Sequence, residues 1–368
     1  MAVCGDPESR HGIILAKNEL AKAFGVTTTE TVWQAKRKCP QLVLVPSHHA
    51  LYESVSAKIN DIYEQYTDQV EPFSVDESWL DVTGSLHMFG TGKEIADCLR
   101  KRLREEIGIT ISVGVSFNKI FAKLGSDYRK PDATTVITKE NFQQILWPLP
   151  ARDMIFVGSA AAEKLEKAGI ETIGQIAGAG SEYLRSLLGK SGETLWNYAM
   201  GLDDSPVARR CEEGPPKSIG NGITFPRDLT GMRQVEAGLL PLCDQVGTRL
   251  RGCGRYCTTV AVQIKNPQFQ TISRQQRLEA PTSATREIYE TACGIVRRCW
   301  RENAPVRMLT VTVSGLTESG TAQMRLLDDA TEARLKSAKL DGVMDTIRGR
   351  YGKDAIAYAS MVKKPEKQ

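Results

Sequence analysis

The stretch VEPFSVDESWLDVTG, Val70 to Gly84, constrains this chain more than any other. Val70, Phe73, Val75, Trp79, Leu80 and Val82 read as strand, yet Asp76 and Glu77 stand side by side at the centre, with Asp81 close behind. Acidic residues are poor strand formers, and a buried carboxylate without a partner is costly. In an ideal strand neighbours point to opposite faces, so these two carboxylates could not serve one point. At the tip of a hairpin the alternation breaks and both can turn the same way. Adjacent carboxylates repel, and they stay ionised together when cations neutralise them. Hard divalent ions with oxygen ligands, Mg²⁺ above all, meet that need. The competing reading is a solvated acidic hairpin.

Residues further along give the metal reading its context. Lys119 and Lys123 lie four apart, on one face of a helix expected to follow a buried strand, and Lys130 sits in a KP turn just beyond. Carboxylates for metals and lysines on a neighbouring element are the parts that phosphoryl transfer requires. A solvated helix face is the plainer explanation of the lysines. Val157–Ser159 places Gly158 before a short helix, where backbone N–H groups can seat a phosphate; an ordinary helix start is the alternative.

The rest of the chain reads as globular. Its 368 residues suggest two to four compact units, and no apolar run approaches the ~18 residues of a spanning helix. The N-terminus, MAVCGDPESRHG, has neither the basic start nor the apolar core of a signal peptide. Nine scattered cysteines then read as reduced thiols in a cytoplasmic protein, and Cys253 with Cys257 lacks the second pair or nearby histidine of a zinc site. Net charge is +4, but residues 215–325 carry 15 Lys plus Arg against 8 Asp plus Glu, a local excess of +7. A basic module joined to a mildly acidic remainder suits a protein that grips a polyanion.

Periodicity gives an α+β order. LYESVSAKINDIYEQY spaces Leu51, Val55, Ile59, Ile62 and Tyr66 at helical intervals. KEIADCLRKRLREEIG lines Ile95, Leu99, Leu103 and Ile107 on one face, with Gly108 placed to end the helix. ITISVGV is a strand, and Ser116 is the expected cap of the helix FNKIFAKLGSDY. Thr172 and Gln175 have the spacing of a capping box. CTTVAVQIK and VRMLTVTVSGL are strands of a later α+β module that also holds two long helices, and a last helix lies around Ala333–Arg350.

FSVDESWLDVTGS followed by SVGVSFNKIFAKLGSDYRKPD resembles the catalytic palm of Y-family DNA polymerases, the DinB/UmuC translesion group. ILAKNELAKAFGV is similar to its fingers and DMIFVGSAAAEKLEKAGIETIGQIA to its helix-hairpin-helix thumb. The resemblance implies a multidomain right-hand polymerase of α+β class, with an antiparallel palm sheet. It implies fingers over 1–49, palm over 50–147, thumb over 148–211, little finger over 212–321 and a tail over 322–368. By the same resemblance Asp76 and Glu77 hold two Mg²⁺ ions, and Lys130 contacts the incoming triphosphate. Lys22 stands where many relatives carry an arginine for that purpose. Lys119 and Lys123 support DNA or triphosphate, and Gly158 belongs to the hairpin on duplex phosphates. Arg249, Arg251, Arg255, Arg274 and Arg277 contact the DNA backbone, positioning it without reading sequence. The implied partners are primer-template DNA, damaged DNA included, and dNTPs, for a monomer acting in the cytoplasm.

The family opens with a strand carrying a further metal-binding aspartate, followed by bulky aromatics that exclude ribonucleotides, and no residue upstream of His11 matches it. The expectation is therefore that these 368 residues catalyse little or no synthesis, as a DNA-binding remnant would. A palm-type nucleotide cyclase is a third reading, set against by the thumb hairpin and the basic module. In the tail, Gln323-Met324-Arg325-Leu326-Leu327 is similar to the peptide by which such polymerases hook onto the sliding clamp, with the aromatic missing. A short apolar connector is the alternative. If Gln323, Leu326 and Leu327 form that hook, changing Gln323 and Leu326 to Ala weakens clamp pull-down and leaves DNA affinity unchanged; an undiminished pull-down removes the idea.

Overall fold

The computed structural model describes residues 1–7, 12–212, 214–301, 303–318 and 329–359. The side chains of 211 and 329–335 lie outside that description, as do Gln323, Leu326 and Leu327 of the expected clamp peptide. The chain divides into two compact units: Met1–Ser47 with Pro215–Gln368, and His48–Gly214.

The N-terminal part of the first unit is a three-stranded sheet of order β2-β1-β3, with β1 at Ala2–Cys4, β2 at Ile14–Lys17 and β3 at Leu44–Pro46. Helices α1 (Glu19–Ala23) and α2 (Val32–Lys38) lie between β2 and β3 in the chain. Asn18 caps α1, and Thr31 with Gln34 forms a capping box on α2. Ile14, Ala21, Val32 and Ala35 close a small core.

The second unit starts with α3 (His49–Tyr63) and the hairpin β4 (Val70–Pro72) to β5 (Ser78–Leu80). After the short α4 (Leu86–Phe89) comes α5 (Gly92–Glu106), started by the Thr91–Glu94 capping box and stopped by Gly108 at φ +83°. Its periodic residues Ile95, Leu99 and Leu103 bury against Ile62 and Tyr66, each fully buried aliphatic contributing about 1.5–3 kcal/mol. Strand β6 (Val113–Val115), helix α6 (Lys119–Tyr128) and strand β7 (Thr134–Val136) follow, and β6 pairs with β7 in parallel. Residues 50–147 therefore do not form the single antiparallel sheet expected of them: β4–β5 is an antiparallel pair and β6–β7 a separate parallel pair, its strands joined by a helical crossover. Asn118, not Ser116, caps α6: its side chain accepts from the Phe121 N–H at 2.8 Å, while the Ser116 hydroxyl is buried without a partner.

A helical half completes this unit with α7 (Phe142–Leu146), α8 (Ser159–Lys167), α9 (Ile173–Ala179), α10 (Ser181–Leu188) and α11 (Lys190–Ala199). Thr172 and Gln175 make the anticipated capping box, and Gly169 turns at φ +74° after α8. Ile120, Phe121 and Leu124 of α6 join the same core as Leu165, Ile173 and Leu184. One face of α6 is therefore fixed by packing, and the other carries its lysines.

The C-terminal part of the first unit runs β8 (Ser218–Leu229), α12 (Met232–Gly252), β9 (Cys257–Lys265), β10 (Thr271–Thr282), α13 (Thr285–Cys299), β11 (Val306–Ser314) and α14 (Asp329–Tyr351). Its sheet is antiparallel throughout, of order β10-β9-β11-β8. Val260, Val262, Val311 and Val313 face Leu239, Val246, Ile288 and Val296 of α12 and α13. Strands β8 and β10 have no clean apolar alternation, which hides them from a reading by period.

Gly114 is the closest joint in the second unit, since a Cβ there would fall 1.8 Å from the Ala122 carbonyl oxygen of α6. Gly114→Ala must push α6 off β6, and the expected loss is about 3 kcal/mol, read as a lower denaturation midpoint. An unchanged midpoint would show that α6 can shift freely.

Candidate functional site

The acidic pair of the second unit sits where the strand ends. The register Val70↔Leu80, Glu71↔Trp79 and Pro72↔Ser78 stops short of the pair, and residues 73–77 form the connection. The Phe73 and Ser74 N–H groups both donate to the Glu77 carbonyl, at 2.8 and 3.2 Å. The Ser74 hydroxyl donates to Asp76 Oδ1 at 2.6 Å and accepts from the Asp76 N–H at 3.3 Å. The alternation of a strand is broken at the two residues that need it broken. Below the tip, Phe73 packs on Trp79 at 4.6 Å between centroids, and the Ser78 hydroxyl donates to the buried Asn60 of α3 at 2.7 Å.

Two of the predicted lysines meet this hairpin directly, and a third reaches it only through Asp127. Lys123 pairs with Glu77 Oε1 at 2.9 Å and with Asp127 Oδ2 at 2.5 Å. The other Asp127 oxygen takes Lys130 at 2.6 Å. Glu77, Lys123, Asp127 and Lys130 therefore form one unbroken series of charges. Burial works against the Lys123 ammonium, but its bonds to Asp127 and Glu77 outweigh that and hold its pKa above the usual lysine range. Burial likewise opposes the Asp127 carboxylate, and the two lysines prevail, keeping it below the usual carboxylate range. Lys119 turns away from the tip. It pairs with Glu71 at 2.5 Å, lies 5.1 Å from the Trp79 ring centroid, and its carbonyl accepts from the Trp79 indole at 3.0 Å.

The KP turn is held from its far side. Asp132 accepts from Arg100 Nε at 3.1 Å and also meets Arg104, both on α5. Asp97 and Thr134 complete that network, the Thr134 hydroxyl donating to Asp97 at 2.7 Å. Gly158 is the N-cap of α8, with no side-chain cap and no atom near its absent Cβ.

Elsewhere the predicted residues lie in the first unit. Lys22 on α1 pairs with Glu19 at 3.6 Å, both side chains exposed. In the C-terminal sheet, Arg277, Thr259, Ser314 and Ser218 stand in one row across the four strands, and Gln275, Ala261, Thr312 and Gly220 in another. These rows alternate with the buried valines, so the face opposite the helices is small and polar. Arg249 donates to the Gly220 carbonyl at 3.2 Å, Arg274 donates to the Ser273 carbonyl at 2.8 Å, and Arg255 pairs with Glu318 at 2.9 Å.

Arg251, expected to contact the DNA backbone, is instead engaged within the module. Only 13% exposed, it binds Asp345 at 2.6 Å and Asp341 at 3.2 Å on α14, and donates to the Ser283 carbonyl at 2.8 Å. Asp341 also accepts from the Thr285 N–H at 2.8 Å, and Arg348 of α14 pairs with Asp244 of α12 at 2.9 Å. These contacts seat α14 on the module.

Asp76 and Glu77 offer hard oxygen donors at an accessible turn. Among the described residues no group of three or more His, Cys, Asp and Glu gathers around one point. Two carboxylates fit Mg²⁺ nonetheless, since that ion is commonly held by one or two carboxylates with substrate phosphates and water completing its shell. Asp127 and Glu71 were missed in the sequence. Glu71 receives both Lys119 and the Ala208 N–H, the latter at 2.7 Å, tying residues 207–212 to the base of the hairpin alongside Arg209–Asp68 and Arg210–Asp61, each 2.8 Å.

The comparisons with known proteins agree across the chain. The profile of the impB/mucB/samB family matches residues 1–127, and that of the impB/mucB/samB family C-terminal domain matches residues 216–326. DNA polymerase IV of Acetivibrio thermocellus is 48% identical over 353 residues, covering 96% of this chain and 88% of the relative. DNA polymerase IV of Clostridium acetobutylicum is 34% identical over 363 residues, 99% of this chain and 90% of the relative. A solved Y-family DNA polymerase chimera superposes with a TM-score of 0.76 at 23% identity, over 87% of this chain and 92% of that one, a likeness of fold.

Replacing Glu71 by Ala removes two bonds to a charged acceptor, and the expected loss of stability is about 2 kcal/mol. With its tie at Ala208 gone, trypsin should cut at Arg209 and Arg210 several-fold faster; an unchanged rate would show that the other ion pairs suffice.

Proposed function

The chain belongs to the impB/mucB/samB family, the DinB-like Y-family polymerases, and on that premise we propose that it is a DNA-directed DNA polymerase of the translesion type. It adds deoxynucleotides to a primer opposite damaged template. The carrying observation is the Asp76–Glu77 turn, joined through Glu77 to Lys123, in a chain that aligns over 96% of its length with a DNA polymerase IV. The reading as a catalytically impaired remnant is not favoured, since the relatives that align with nearly all of this chain are named as polymerases.

Divalent-metal dependence comes with the family; that the metal is Mg²⁺, as two ions on Asp76 and Glu77, is our reading. Held by Asp76 and Glu77, such ions would supply activation of the primer 3′-hydroxyl and charge neutralisation at the leaving pyrophosphate. The protein's own groups do the rest. Lys130 and Lys22 hold the triphosphate as point charges, less specifically than arginine forks would. Lys123 adds positive charge beside the carboxylates, and Lys119 braces the hairpin through Glu71 and Trp79. The α8 N-terminus at Gly158 seats a duplex phosphate. Arg277, on the small polar sheet face, suits backbone contacts that tolerate any sequence; Arg249 of α12 and Arg274, in register with Val262 on the other side of the sheet, are assigned the same task, and Arg255 would first have to leave Glu318.

In this reading residues 1–49 are fingers, 50–147 palm, 148–211 thumb, 212–321 little finger and 322–368 a tail. The clamp is a partner through Gln323, Leu326 and Leu327, and the protein acts as a monomer in the cytoplasm. Among the described residues no helix is long and apolar enough to cross a membrane.

The test is primer extension by the purified protein with Mg²⁺ and four dNTPs, on intact and damaged templates. Extension is expected, and the Asp76→Ala/Glu77→Ala variant should lose at least about 100-fold in rate while still binding DNA. Equal extension by both proteins would move the chemistry elsewhere.

A further inference from the structure

Lys123 pairs directly with the acidic turn, its side chain is only 17% accessible, and it has two anions. One is Glu77 at 2.9 Å, which the proposed function gives to a divalent cation; the other is Asp127 at 2.5 Å, which that function does not use. An ion on Glu77 competes with the ammonium for the same carboxylate and repels it. An ammonium this far from water is costly to leave without an anion. The exchange is therefore favourable only where the lysine keeps a second carboxylate.

We propose that Asp127 is a positioning residue that retains Lys123 when a divalent cation takes Glu77, and so sets the cation affinity of the turn without touching the ion. The placement of Asp127 fits this role. It lies one turn after Lys123 on α6, whose other face is locked by Ile120, Phe121 and Leu124. Its second oxygen is on Lys130 at 2.6 Å, and Lys130 is in turn held by a loop pinned through Asp132 to Arg100 and Arg104. A triphosphate that draws Lys130 away leaves the whole charge of Asp127 to Lys123. Nucleotide binding then loosens Lys123 from Glu77, so nucleotide and cation favour one another through protein side chains. This inference rests on the reading of Asp76 and Glu77 as metal ligands.

The experiment titrates Mn²⁺ into the full chain bound to primer-template DNA and counts free ion by electron paramagnetic resonance. Asp76→Ala/Glu77→Ala identifies the ions held at the turn. Asp127→Asn should weaken those ions roughly tenfold, the effect of one uncompensated charge nearby. Asp127→Glu, which keeps the anion, should stay within about threefold of the parent protein and serves if the Asn variant folds poorly. The decisive comparison is Lys123→Met/Asp127→Asn, which lacks the competitor and should bind Mn²⁺ within about twofold of Lys123→Met alone. A merely structural aspartate would not be rescued by deleting the lysine. Parental affinity in Asp127→Asn, or a loss that persists in the double variant, overturns the proposal. If the parent binds no more Mn²⁺ than the Asp76→Ala/Glu77→Ala control, the metal reading itself fails, and the proposal with it.

Discussion

The ammonium of Lys123 is the point on which the site depends. It is mostly buried, and it lies between a carboxylate of the hairpin and a carboxylate of its own helix. Attraction between partly buried charges is stronger than at an open surface, and so is the penalty for leaving one alone. The packing of α6 on Gly114 and the Phe121 core thus does more than build a fold. It brings a positive charge to within 2.9 Å of Glu77 on the hairpin.

The same economy governs the supports. Several lysines and arginines around the hairpin that do not face the turn are tied to carboxylates: Lys119 to Glu71, Arg100 to Asp97 and Asp132, Arg210 to Asp61. Exposed pairs of this kind contribute little stability one by one, on the order of 0–1 kcal/mol. Their value here is geometric. Glu71 binds a helix start and the chain that leaves the unit, so the hairpin base, α6 and residues 207–212 share one anchor.

Local signals carried much of this into the sequence. Two acids in an apolar run marked the turn, because a strand could not hold them both on one side. The α5 helix was readable from Ile95, Leu99 and Leu103 at helical spacing, and Thr172 with Gln175 announced α9. What stayed hidden was non-local. Asp127 looked like one more charge near a helix end, and only folding shows that its two oxygens divide between Lys123 and Lys130. Strands β8 and β10 face a polar surface on one side and run past the helices on the other, so no period of two survives in their composition. The cap of α6 went to Asn118 because the helix starts two residues later than its hydroxyl candidate suggested.

Arg251 shows why composition cannot assign a basic residue its task. Residues 215–325 are rich in arginine, and charge alone makes each a candidate for phosphate. A guanidinium on the helix side of the sheet meets different surroundings from one on the open face. There Asp341 and Asp345 satisfy its fork, the Ser283 carbonyl and Thr285 hydroxyl take the remaining donors, and little of it remains accessible. Removing one partner of such a cluster would strand the others in a poorly solvated place. Its charge therefore serves cohesion, fastening α14 to α12 and α13, while Arg277, in a row with Thr259, Ser314 and Ser218 on the opposite face, remains accessible to a polyanion. Two arginines of one basic module thus meet different surroundings, one on α12 enclosed by α14 and one on the open face of β10.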